Sequence, residues 1–235
     1  KSRRTGYSWA AAAVAVFVSS PAENAQNTYY MGYDYEMARE FIQYVGEWAK
    51  KIGEACSEAE EYIFKDPDNP DKDIKAFRVT FANGKEVVAL PSVARALRGK
   101  QGFVIIDEAA FHDDLKEVLK AAFALLIWGG QVLIISTHNG EDNPFNDLIK
   151  DIRAGKSPYK LLRCTFDDAL RQGLYKRICQ KQGKEWSQAA EDQWKADIYK
   201  FYGDSAAEEL DCIPANGSGN YFSRLIVEQC MQPDI

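Results

Sequence analysis

The chain has 235 residues, 46% hydrophobic and 27% charged, enough to bury a full core with the composition of an ordinary globular protein. Its net charge of −6, from 29 basic and 35 acidic residues, excludes an overall basic surface for nucleic acid, so any such contact is local or made by other parts. The apolar run at 9–18 is too short to span a bilayer, and five scattered cysteines with two histidines argue against a zinc site or disulfide framework and for a reducing compartment.

The chain opens on Lys1-Ser2-Arg3-Arg4-Thr5-Gly6-Tyr7-Ser8, close to the phosphate-loop pattern G-x-x-x-x-G-K-[ST]. Gly6 and Ser8 are in register, but Lys1 stands at the first glycine and Tyr7 at the usual lysine. Residues 8–18 favour a buried helix that Ser19-Ser20-Pro21 ends. A short strand at 28–31 leads to a helix over 35–52, where Met37, Phe41, Tyr44, Val45 and Trp48 recur at helical spacing. An acidic, proline-bearing surface loop follows at 66–73. Strands at 77–81 and 86–90 flank Ala82-Asn83-Gly84-Lys85, whose Asn-Gly pair predicts a tight hairpin with positive φ angles.

Two fully apolar runs, 103–106 and 132–135, are joined by a helical pattern over 115–128, which predicts parallel strands in a sheet covered on both faces. Their polar ends, Asp107-Glu108 and Ser136-Thr137, then emerge at the carboxyl edge, where open α/β sheets bind ligands. Beyond 145 the pattern is helical at 146–154, 166–182 and 189–202, and the glycine-rich stretch 216–220 reads as a linker. No methionine begins the chain, and it starts inside a motif, which predicts a piece of a longer protein.

Phe103-Val104-Ile105-Ile106-Asp107-Glu108 has the form of a Walker B strand, in which the aspartate holds Mg²⁺ and the glutamate activates the attacking water. It also has the form of a core strand ending in solvated acids. Its partner is the opening segment: amides at a helix start can receive phosphate oxygens, the Ser8 hydroxyl can ligate Mg²⁺, and Lys1 is long enough to reach the phosphates. The same residues also read as a basic end ahead of a helix. Ser136-Thr137, followed by His138-Asn139-Gly140, can sense a γ-phosphate or simply make a turn. Arg95, Arg98 and Lys100 form a solvated loop or present Arg98 as an arginine finger to a neighbouring subunit. His112 and His138 carry no catalytic assignment.

Together the opening segment, Ala89-Leu90-Pro91-Ser92 through Arg95-Ala96-Leu97-Arg98-Gly99, Val104 to Phe111, and Ser136 to Gly140 resemble the ATPase domain of tailed-bacteriophage terminase large subunits, most closely the Mu-like branch. The displaced lysine is similar to the deviant Walker A of the lambda-type enzyme. The resemblance implies an α/β P-loop NTPase of the ASCE/RecA-like kind, a parallel sheet flanked by helices, with a small C-terminal helical subdomain. It divides the chain into an ATPase core at 1–144 lacking its first strand, a helical subdomain at 145–212 and a linker at 213–235 toward an absent nuclease of RNase H type.

The function so implied is an ATP-hydrolysing motor that drives double-stranded DNA into a procapsid. ATP and Mg²⁺ would be its cofactors, and Lys1, Ser2, Arg3, Arg4, Thr5, Gly6, Tyr7 and Ser8 its nucleotide loop. Ser8 and Asp107 would serve the metal, Glu108 and Arg98 catalysis, and Ser136, Thr137 and His138 coupling. Implied partners are the portal protein, the small terminase subunit and further copies in a ring, in the host cytoplasm and away from membranes. A helicase-like P-loop ATPase and a nonhydrolysing assembly module are the competing readings.

Overall fold

The computed structural model describes residues 1–65 and 73–216, so most of the expected loop at 66–73 and linker at 216–220 lies outside the described residues. Two compact units are present, Gly6–Ser136 and a second that joins Lys1–Thr5 to the residues from Thr137 onward.

The first unit is built on one six-stranded sheet. Its strands are β1 (Thr28–Met31), β2 (Glu60–Lys65), β3 (Asp73–Thr80), β4 (Glu86–Leu90), β5 (Phe103–Ile106) and β6 (Gln131–Ile134), in the order β2-β3-β4-β1-β5-β6. Strands β4, β1, β5 and β6 run parallel, and β2 and β3 extend the β4 side antiparallel. The two apolar runs are thus parallel neighbours, with Phe103 opposite Gln131 and Ile106 opposite Ile134. Every residue of β1 and β5 is buried, as expected of strands covered on both faces.

Helices α1 (Tyr7–Ser19) and α2 (Tyr35–Ile52) cover one face. Ala11, Ala12, Ala15 and Val16 of α1 join Phe41, Ile42 and Val45 of α2 in one core with Tyr30, Val87, Ala89, Phe103 and Ile105. Small alanines let α1 lie close to the sheet. Helix α2 starts where the Asp34 carboxylate accepts the Met37 N–H (2.8 Å) and stops at Gly53, whose φ of 77° no β-carbon opposes. The crossover from β5 to β6 is α3 (Leu115–Ala124) followed by a 3₁₀ turn, Leu125–Trp128, a tighter ending than the continuous helix the periodicity predicts. Gly102, entering β5, has φ 145°, and a β-carbon there would meet the Asn27 carbonyl oxygen at 2.2 Å. Only glycine fits where the segments entering β1 and β5 touch.

The hairpin between β3 and β4 forms as expected, but of its Asn-Gly pair Gly84 alone has positive φ (78°). Asn83 is held by its side chain instead. Its Oδ1 accepts the Lys85 N–H (2.8 Å), and its Nδ2 donates to the Ser19 and Pro21 carbonyls (2.9 and 2.6 Å).

The second unit contains α4 (Pro144–Arg153), α5 (Phe166–Arg171), α6 (Leu174–Gln182), α7 (Gln188–Tyr202) and α8 (Ala206–Glu209). The single helix expected over 166–182 is two, parted at Gly173 with φ 90°. Phe166, Leu170, Ala206 and Leu210 form a small core, with Trp194, Ile198, Tyr199 and Tyr202 packed against it.

Candidate functional site

Parallel strands deliver their last residues to one edge, and Asp107 follows the last residue of β5 there. It is fully buried. A buried carboxylate is stable only if its oxygens are engaged, and both are. Oδ2 accepts from the Ser8 hydroxyl at 2.5 Å and from the Tyr30 hydroxyl at 3.2 Å, while Oδ1 accepts from the Glu108 N–H at 2.9 Å. Tyr30 stacks on Phe41, with ring centroids 3.7 Å apart. Burial first, and the Asp107 charge second, push its hydroxyl well above the usual phenol range, so it remains a donor. Ser8 lies in the first turn of α1, so residues 99 apart in sequence meet at one carboxylate.

The first turn of α1 contains no acidic side chain, and no side chain caps it. Gly6 precedes it with φ 81°, and a β-carbon there would touch nothing within 4 Å. The start of a 13-residue helix, beside a hydroxyl and a carboxylate, suits phosphate oxygens and a hard cation. Among the described residues no three His, Cys, Asp or Glu side chains converge as a metal cage. Mg²⁺ is commonly held by one or two carboxylates together with substrate phosphates, and the Asp107 carboxylate beside the Ser8 hydroxyl has that donor chemistry.

Glu108 is half-buried and adopts φ 48°, ψ 46°, a left-handed conformation that costs a non-glycine residue about 1–3 kcal/mol. The turn around it is held at several points. The Phe111 N–H donates to the Glu108 carbonyl (2.9 Å), the Ala109 N–H to the Ile135 carbonyl (3.0 Å), and the Ala110 N–H to the Ser136 hydroxyl (3.0 Å). Ser136 therefore meets the Asp107–Glu108 turn directly. His112 is buried, with Nε2 2.9 Å from the Asp107 carbonyl and Nδ1 against the Ser92 hydroxyl. A carbonyl only accepts, so Nε2 carries the proton. Burial lowers the ring's pKa against the pull of nearby Asp107, so the ring is neutral and Nδ1 accepts from Ser92.

Arg98 is exposed and lines a cavity of about 430 Å³ with Lys100, Gln101, Leu125 and Trp128. Those residues lead into β5 and β6, at the end of the sheet opposite Asp107. The structure does not bring Arg98 to Asp107 and Glu108 of its own chain.

In the second unit, Ser2 is fully buried and donates its N–H to the Cys164 carbonyl (2.8 Å), and the Arg3 guanidinium pairs with the Glu209 carboxylate at 2.6 Å. Arg4 has φ 56°, and the Thr5 hydroxyl closes the turn on the Ser2 carbonyl (2.9 Å). Lys1, which begins this segment, is half-buried, as is Tyr7 at the start of α1. Thr137 and His138 are buried, and burial lowers the His138 pKa. Just beyond them, Glu208 Oε1 accepts from the N–H groups of Gly140 (2.6 Å) and Ala215 (3.0 Å), fastening the loop after His138 to the segment that leaves α8.

Sequence reasoning misses Tyr30, His112 and Glu208. Two tyrosines in the buried four-residue strand Thr28-Tyr29-Tyr30-Met31 are a weak signal for the first, since a buried hydroxyl needs a partner. A histidine five residues beyond the strand-tip aspartate is a weaker one for the second. Nothing local marks Glu208.

Residues 1–229 match the family described as terminase large subunit, T4likevirus-type, N-terminal. The chain is 46% identical to the Mu-like prophage FluMu protein gp28 of Haemophilus influenzae, over 97% of its own length and 45% of that protein's. It is 43% identical to the probable terminase large subunit gp28 of Escherichia phage Mu, over 99% of itself and 43% of that protein. The chain thus spans less than half the length of these curated relatives. In fold it is similar to the large terminase of a thermophilic bacteriophage in complex with ADP, with TM-score 0.58 and 16% identity, covering 90% of this chain and 46% of that one.

Proposed function

The chain belongs to the N-terminal family of terminase large subunits, and from that premise we propose that it is the ATP-hydrolysing motor domain of a viral DNA-packaging machine. Its six-stranded sheet flanked by helices is the P-loop NTPase fold of terminase ATPase domains. One observation carries the proposal: the hydroxyl that opens α1 and the carboxylate at the tip of β5 meet at 2.5 Å. A hydroxyl at the start of the candidate Walker A helix and the aspartate of the candidate Walker B strand are the pair that flanks a Mg-nucleotide in P-loop NTPases. The ADP complex of the thermophilic phage terminase supports a nucleotide as the ligand.

In this reading the start of α1 at Gly6, Tyr7 and Ser8 receives the phosphates, whereas Ser2 and Arg3 as they stand are engaged by Cys164 and Glu209. Ser8 and Asp107 hold Mg²⁺, which when bound neutralises charge on the phosphates. Glu108, turned out of the strand by its left-handed backbone, orients and deprotonates the attacking water. Burial around Asp107 keeps competing water away and strengthens each polar contact. Arg98, at the far end of the sheet, serves a neighbouring subunit's phosphate in a ring. Ser136, hydrogen-bonded to the Glu108 turn, passes the change to Thr137 and His138, and the helical subdomain at 145–212 moves in response.

The whole protein, in the host cytoplasm, then translocates double-stranded DNA through a portal into a procapsid, in partnership with a small terminase subunit. A nuclease of RNase H type beyond the linker at 213–235 cuts the DNA. Among the described residues no helix is long and apolar enough to cross a membrane. The test is Glu108→Gln in the full-length protein. Mg-ATP binding stays within about threefold of wild type while turnover falls by about 10²-fold or more. Unchanged hydrolysis removes the assignment.

A further inference from the structure

The arrangement around Asp107 leaves one group without a part in the chemistry above. His112 touches none of the atoms that would meet a nucleotide, yet it is 7% exposed and engaged through both ring nitrogens. Its Nε2–H bonds the main-chain carbonyl of Asp107, the peptide oxygen immediately before Glu108. Its Nδ1 is fixed by Ser92, two residues beyond the end of β4. A ring held at one nitrogen can swing, whereas a ring held at both is a strut. It connects the loop after β4 to the peptide that sets the direction of Glu108.

That peptide needs holding. A non-glycine residue persists in the left-handed region only where its surroundings fix it. The contacts of Ala109, Ala110 and Phe111 secure the turn from its far side, and His112 secures the near side, at the plane through which Glu108 leaves the strand. With that carbonyl released, the peptide between Asp107 and Glu108 keeps the Glu108 N–H bond to Asp107 Oδ1 but loses the hold on its oxygen, and its plane can tilt. The glutamate would then leave its place while Asp107, anchored through Ser8, Tyr30 and β1, stays where it is.

We infer that His112 is the positioning residue for Glu108, acting through the Asp107 carbonyl, with Ser92 setting the orientation of the imidazole. The inference rests on the ATPase reading and adds to it a residue that shapes turnover without touching nucleotide. It predicts a separation of effects. Nucleotide affinity depends on α1 and the Asp107 carboxylate, which the strut does not hold. The rate depends on where Glu108 points, and a displacement of about 1 Å at a catalytic group costs up to about 10²-fold.

The experiment uses the full-length protein and measures Mg-ATP hydrolysis per nucleotide site, with sites counted by ATPγS titration so that loss of folded protein does not enter. His112→Ala is expected to lower kcat by about 10- to 100-fold with KM within about threefold of wild type. His112→Gln offers an amide N–H for the Asp107 carbonyl and an amide oxygen for the Ser92 hydroxyl, and is expected to recover most of the rate. Ser92→Ala falls between them. A His112→Ala protein with wild-type kcat overturns the inference, as does a rise in KM with kcat kept, or a glutamine variant no faster than alanine. Wild-type protein that hydrolyses no ATP overturns the ATPase reading and this inference together. Hydrolysis that is lost in Glu108→Gln and intact in His112→Ala overturns the inference alone.

Discussion

The sheet unit and the helical part of the second unit hold their residues by different means. At the carboxyl edge of the sheet, Asp107 is fully buried, and both carboxylate oxygens and its carbonyl accept hydrogen bonds from four separate groups. In the helical part, α7 runs for 15 residues without one fully buried, and four buried residues make up the core shared by α5 and α8. The first is a preorganised polar site on a deep apolar base, where removing any partner leaves an unsatisfied group in a dry setting. The second is a thin aromatic cluster whose opening exposes little surface, the kind of element that moves at small cost. The proposed motor function would use both, since chemistry requires fixed atoms and force requires a part that yields.

The largest effect should come from breaking the fixed side. Asp107→Asn keeps the shape but removes the charge that faces Ser8, and turnover in the full-length protein should fall by about 10²-fold or more, read as Mg-dependent phosphate release. A next step sharpens the contrast in stability. Ile105→Ala, at a fully buried position of β5, should cost about 2–5 kcal/mol in global unfolding by urea. Leu210→Ala, equally buried in the small core, should act locally, raising amide exchange in α5 and α8 while protection in β1 and β5 stays at the wild-type level.

A pH series tests both units at once. His112 and His138 have pKa values lowered from 6.5 by burial, so the folded state resists their protonation and the unfolded state does not. Their contribution is complete above about pH 6.5 and declines as pH falls below it, because the unfolded chain then binds protons first. The urea midpoint should drop between about pH 7.5 and about pH 5.5, and less so in His112→Gln. The smallest effects belong to the helix caps. Asp34→Ala on α2 and Thr165→Ala, which removes the capping box of α5, should each cost about 1 kcal/mol in denaturant unfolding.

Much of the sheet is legible in the sequence because its signals are local. Unbroken apolar runs bounded by polar pairs specify parallel strands, and 103–106 and 132–135 correspond to β5 and β6 within one residue; β5 is buried as expected, whereas β6, at the edge of the sheet, is only half-buried and begins on an exposed Gln131. Asp107 and Glu108 are legible for the same reason, since the end of such a strand is also the edge of the sheet. The partners that hold Asp107 are not. Tyr30 lies 77 residues away and Ser92 lies 20 from His112, and nothing in either segment states whom it meets. The break at Gly173 escapes a reading by periodicity because the apolar spacing of 166–182 continues through it, and only the backbone angle separates α5 from α6. The left-handed turn at Glu108 is hidden as well, since tertiary contacts and no glycine impose it.

The account stands on Ser8 and Asp107 forming two sides of one nucleotide site. The direct measurement is a crystal structure of the full-length protein with Mg²⁺ and ATPγS. The account predicts phosphates against the first turn of α1 and a metal ion between the Ser8 hydroxyl and the Asp107 carboxylate, with Glu108 facing the terminal phosphate. A nucleotide bound elsewhere, with the Ser8–Asp107 hydrogen bond intact and no metal beside it, would contradict it.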